Sequence, residues 1–265
     1  MNAQTGLEGM KLLTLQPKAT GVPFVFTPDL GGNLLYSRDL VPRLPSGLAP
    51  YGLSLTENAL GALDSLKIES LAADFAEYLR NRWPDGALHL AGFSFAGVLA
   101  FETARMLTNR NRPVSHIWLF DTRVHRLHMP SAIFRSPVLE MKCLLVHAAK
   151  SIFKRPSDPD TMLRSYRLLE IDLKQRPKAY WPTIRALHKA LENYRPDPFD
   201  KTPVTLFRTK EPNPLLARPR HLGWDRLTPD KLRVVDVDAE HLTIMHTAAS
   251  LETITDCLSQ AVNSG

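Results

Sequence analysis

Seven short runs of apolar and β-branched residues punctuate the chain: KLLTL at 11–15, PFVFTP at 23–28, YGLSL at 51–55, ALHLAG at 87–92, VSHIWLFD at 114–121, VTLFRT at 204–209 and LRVVDVD at 232–238. Several are apolar at consecutive positions, the pattern of strands covered on both faces. Between them the period lengthens to that of a helix. Leu71, Phe75 and Leu79 recur every fourth residue, and Leu251, Ile254, Leu258 and Val262 share one face near the C-terminus. Strands alternating with helices predict an α/β protein built on a mostly parallel central sheet with helices on both faces. The alternation stops between Asp121 and Pro203. About 80 residues carrying helical patterns such as VLEMKCLLVHAAKSIF are too many for a loop, so a helical insertion is expected at about 123–200. It would be a lid over any site at that end of the sheet. The expected organisation is one domain, 1–265, with that insertion.

Composition narrows the function classes. Of the 265 residues, 44% are hydrophobic, enough for one large core. Lys and Arg number 33 against 27 Asp and Glu, a net charge of +6. These charges are scattered and never alternate with aromatics as in nucleic-acid grooves, so no nucleic-acid partner is expected. Cys143 and Cys257 each sit among apolar residues and read as buried thiols, with nothing pointing to an oxidising compartment. The opening MNAQTGLEGMKLL has no basic start followed by an apolar core, and no run of about 18 apolar residues occurs. No stable membrane insertion and a cytoplasmic location are the expectations. His125 and His128 have helical spacing but no third ligand nearby, so no metal is expected.

The candidate chemistry lies at the carboxyl ends of the strands, where an open parallel sheet collects reacting groups. In HLAGFSFAGVLAFETARML, Ser94 stands between a strand and a helix, flanked by Gly92 and Ala96. A sharp strand-to-helix turn presenting a nucleophilic serine needs small residues on both sides, and alanine is the smallest replacement for the second glycine of G-x-S-x-G. A serine capping a tight turn is the plainer alternative. A nucleophilic serine needs an imidazole, itself oriented by a carboxylate. His241, in DVDAEHLTIM between the last strand and the last helix, is best placed, with His246 as runner-up. His116, His147 and His188 read as structural. For the acid, Asp121 ends HIWLFD and Glu211 follows VTLFRT, and both remain open on the residues alone.

The opening LLTLQPKATGVPFVFTPDLGGNLLYSRDLVPRLPSGLAPYGLSL, the helix IESLAADFAEYLR, the elbow LHLAGFSFAGVLAFETARML, and then LFDT, GWDRL and EHLTIM occur in one order and spacing. In these pieces the chain resembles the thioesterase domains and type II thioesterases of nonribosomal peptide and polyketide synthases, within the α/β-hydrolase superfamily. The resemblance implies an α/β-hydrolase fold with Ser94 as nucleophile, Asp121 as acid and His241 as base. Ala96 and Ala239 stand where the family has glycine. An oxyanion hole is then required. Its expected donors are the backbone N–H of Phe95 and one from TPDLGG: Pro28 has none, so Asp29 comes first and Leu30 second. The implied function is release, by hydrolysis or cyclisation, of an acyl or peptidyl chain held as a thioester on the phosphopantetheine arm of a carrier protein. No other cofactor is implied, and the basic balance suits an acidic carrier-protein partner. A carboxylesterase or lipase acting on free esters, and an inactive hydrolase-fold binding module, are the alternatives.

Overall fold

The computed structural model describes residues 10–55, 66–124, 177–209 and 219–263. Seven strands form one sheet: β1 (Met10–Thr14), β2 (Gly21–Phe26), β3 (Gly47–Leu55), β4 (His89–Phe93), β5 (His116–Phe120), β6 (Val204–Thr209) and β7 (Leu232–Val237). Their spatial order is β1-β3-β2-β4-β5-β6-β7. β1 runs antiparallel to β3 at one edge, and every other pairing is parallel. The predicted α/β class and mostly parallel sheet are present, and each of the seven apolar runs is a strand. β3 starts four residues before the run that predicts it, because GLAP reads as turn composition. Pro50 lies inside that strand without an N–H to donate, yet its carbonyl still accepts the N–H of Leu15 at 3.1 Å.

The described helices are α1 (Ile68–Arg82), α2 (Phe95–Asn109), α3 (Pro177–Asn193) and α4 (Ala248–Asn263). The period-four set on α1 forms its buried face, with Leu71, Phe75 and Leu79 all in the core. α2 is buried nearly all round, because it packs on β4 and β5 and is itself covered by α1. On the sheet's other face, Phe24, Phe26, Ala91, Trp118, Phe120, Phe207 and Val237 form one cluster with Leu251, Ile254 and Leu258 of α4. The positions alternating with them, Val25, Leu90, Ile117, Leu119 and Leu206, are fully buried too. Both faces are therefore covered, which explains the consecutive apolar residues. Each Leu or Phe so buried contributes roughly 1.5–3 kcal/mol of transfer free energy.

The chain divides into two compact units, Met1–His125 with Lys178–Gly265, and Arg126–Pro177. Most of the insertion expected at 123–200 lies outside the described residues, as do Cys143, His125, His128, His147 and Glu211. Cys257 is a buried free thiol whose pKa burial pushes up. Among the described residues, no helix is long and apolar enough to cross a membrane.

Candidate active site

β4 ends at Phe93 and α2 begins at Phe95, leaving one residue to reverse the chain. That residue, Ser94, has φ 51° and ψ −116°, a conformation strained for any side chain. The turn is held because the N–H of Ser94 donates to the carbonyl of Phe120 at 2.9 Å and that of Gly97 to the carbonyl of Ser94 at 3.2 Å. A Cβ on Gly92 would lie 2.4 Å from the carbonyl oxygen of Ala96, and one on Gly97 would lie 1.9 Å from Oγ1 of Thr122. The steric demand of the elbow thus falls on Gly92 and Gly97. The Ala96 methyl is fully buried in the core cluster, and its carbonyl accepts the Thr27 hydroxyl at 2.6 Å.

Asp121 follows β5 directly, also with a positive φ, 41°, and is 1% exposed. Its Oδ1 accepts the N–H of Thr209 at 3.1 Å, and its Oδ2 accepts the Thr209 hydroxyl at 2.9 Å. Oδ2 also bonds Nδ1 of His241 at 2.6 Å. That contact bridges 120 residues of sequence. The His241 ring lies 4.8 Å from the Phe93 ring, centroid to centroid, at 33°. Ser94, Phe95, Val98, Asp121, Arg123, Leu191 and His241 line one cavity of about 230 Å³. The three expected residues are therefore brought together. Among the described residues, no cluster of three or more His, Cys, Asp or Glu suits a metal ion.

Four other described histidines have partners of their own. Nδ1 of His246 bonds Oδ2 of Asp39 at 2.8 Å, which holds that carboxyl below its usual range. Nε2 of His116 meets the Thr205 hydroxyl at 2.8 Å, and its ring stacks on Trp118 with centroids 3.9 Å apart. Burial lowers its pKa to about 3. The exposed His188 and His221 each approach an acidic side chain, Glu192 and Asp225.

Of the expected oxyanion donors, Asp29 is engaged within its own loop. Its N–H is donated to the carbonyl of Asn33 at 2.9 Å, because 29–33 closes into a tight turn. The Asp29 carboxylate ties that turn from the side chain too, accepting the N–H groups of Gly31 at 2.8 Å and Asn33 at 3.1 Å. Burial raises its pKa to about 6, opposed by those two bonds. Leu30, the second choice, shows no such bond among the described residues. Phe95, the other expected donor, is the first residue of α2, where backbone N–H groups point outward unpaired. Sequence reasoning missed Thr209 and Phe93, since neither type signals a role beside a carboxylate or an imidazole.

The Thioesterase domain family matches residues 24–132, a span holding Ser94 and Asp121 and ending before His241. A non-reducing polyketide synthase of Cladonia metacorallifera is 31% identical over 102 residues, which is 38% of this chain and 5% of the synthase. The chain thus matches only a small part of the length of such curated relatives. Among solved structures, the NocB thioesterase domain from the nocardicin cluster has a TM-score of 0.61 at 22% identity, covering 97% of this chain and 100% of that domain. A four-domain nonribosomal peptide synthetase bound to AMP and glycine has a TM-score of 0.68 at 22% identity, covering 94% of this chain and 20% of the synthetase. Residues 24–132 thus match the thioesterase domain family, and nearly the whole chain shares the fold of the NocB thioesterase domain.

Proposed function

We propose that the chain is a serine thioesterase that releases an acyl or peptidyl group from the phosphopantetheine arm of a carrier protein. Oγ of Ser94 attacks the thioester carbonyl carbon while His241 takes the hydroxyl proton through Nε2. Asp121 holds the ring by Nδ1 and stabilises the imidazolium that forms. The negative charge on the tetrahedral oxygen is met by the N–H of Phe95, with Leu30 supplying the second donor from the 27–33 loop. Collapse expels the pantetheine sulfur, which takes the proton back from His241, and leaves acyl-Ser94. Water, or an amine or hydroxyl of the acyl chain itself, then repeats the sequence and frees the product. No resident cofactor is called for.

The observation that supports this reading best is the 2.6 Å bond between Asp121 and His241 in the cavity that Ser94 lines. A triad of this kind is worth many orders of magnitude in rate, so its loss is easily read. Exposure to a panel of pantetheine thioesters should add the acyl mass to Ser94, and Ser94→Ala should abolish both the adduct and turnover. Turnover by S94A at the wild-type rate, or faster turnover of the matching alcohol ester than of the thioester, overturns the proposal.

A further inference from the structure

Arg123 lines the same cavity as Ser94 and His241, and the reaction proposed above gives it no task. Its setting is unusual for a surface arginine. The residues on either side are buried and tied down: the carbonyl of Thr122 accepts Nε1–H of Trp224 at 2.7 Å, and the N–H of Val124 donates to the carbonyl of Leu222 at 3.0 Å. Thr122 also fills the space against Gly97 at the elbow. The backbone of 122–124 is therefore anchored at both ends, and only the Arg123 side chain is left exposed. No carboxylate among the described residues pairs with it, whereas Arg105, Arg208 and Arg38 each face one. The other side chains around the cavity, Phe95, Val98 and Leu191, are apolar.

A largely apolar cavity with a guanidinium at its wall that meets no carboxylate among the described residues suits an acyl chain that carries an anion a few carbons from its reacting carbonyl. We propose that Arg123 recognises a carboxylate on the acyl group of the substrate. The guanidinium offers a planar fork of N–H donors that matches the two carboxylate oxygens. This inference rests on the thioesterase reading of the site and narrows its substrate class to acidic acyl chains. The phosphate of the carrier arm is a poorer match, because it lies at the far end of the arm from the thioester and a cavity of about 230 Å³ does not span both.

The test compares succinyl-, glutaryl- and adipoyl-pantetheine with their terminal methyl esters, which keep the chain and remove the charge. Wild-type protein should favour the free acid in kcat/KM by about tenfold for at least one length, and the preference should shrink as salt rises. Arg123→Gln should bring that ratio close to one, and Arg123→Lys should keep part of it, since a point charge cannot form the fork. A wild-type ratio near one at every length, or a ratio unaltered in R123Q, overturns the role of Arg123 and leaves the thioesterase reading standing. If the folded wild type turns over none of the six compounds but does turn over neutral acyl-pantetheines, the role of Arg123 is overturned alone; failure on both sets overturns both.

Discussion

Thr209 touches Asp121 twice, once through its N–H and once through its hydroxyl. The hydroxyl meets Oδ2, the oxygen that also holds His241, so its loss would free the carboxylate to turn away from the imidazole. Removing one donor from a buried carboxylate costs roughly 1–3 kcal/mol. Thr209→Val should therefore lower kcat roughly tenfold with little change in KM, and Thr209→Ser should restore most of it. A proportionate rise in KM would show that Thr209 shapes the pocket instead. In the sequence, Thr209 is simply a β-former at the end of a β-rich run. Ser94, Asp121 and His241 are legible because each stands at a strand end in the required order. Asp29 illustrates the limit: counting N–H groups in TPDLGG finds the donors but cannot show that one is consumed by the turn's own closure. The alanine at 96 belongs to the same lesson, since the motif marks small residues while the structure puts the tight contacts at Gly92 and Gly97.

At the scale of elements, all seven strands were legible because a doubly covered sheet demands unbroken apolar runs. The antiparallel direction of β1 was not, since direction is set by the partner strand and leaves no mark on a five-residue run. The packing of α3 was equally hidden. Glu102 on α2 is fully buried, and its carboxylate accepts the Tyr194 hydroxyl at 2.8 Å and two N–H groups of Arg105 at 2.6 and 2.9 Å. Tyr194 is the residue immediately after α3, and Leu191, one turn earlier, lines the cavity. The pair thus fixes the end of α3 to the helix that Ser94 caps. Tyr194→Phe should cost about 1 kcal/mol in urea unfolding and raise KM by loosening Leu191. An unchanged KM would detach α3 from substrate binding.

At the scale of the whole molecule, stability depends on pH through groups of opposite sign. Burial lowers His89 to about 4 and His116 to about 3, so both stay neutral in the fold. Nδ1 of His89 accepts Nε1–H of Trp118 at 3.1 Å, a bond that protonation there would break. As pH falls below the ordinary histidine value of about 6.5, the unfolded chain binds protons that the folded chain refuses, and stability is lost towards pH 4. Asp29 opposes this. Its carboxyl, raised to about 6, holds a proton in the fold that the unfolded chain releases above about 4, so it adds stability as pH falls through the same window. Two histidines outweigh one aspartate at about 1.4 kcal/mol per pH unit each. The urea midpoint should therefore be lower at pH 5 than at pH 7, and Asp29→Asn should widen that gap by raising the pH 7 value. A narrower gap in D29N would reverse the sign assigned to Asp29.

The backbone bonds around the site also have a bearing on how such a chain diverges. Ser94 hangs from the carbonyl of Phe120, and the neighbouring Asp121 from that of Phe207 on the next strand. Three adjacent strand ends are stepped off by peptide groups, at the fixed interval that separates strands in any sheet. The spacing between nucleophile and acid is thus measured out by atoms that almost every amino acid carries. Side chains along β4, β5 and β6 can change, and the gauge that spaces Ser94 and Asp121 does not change with them.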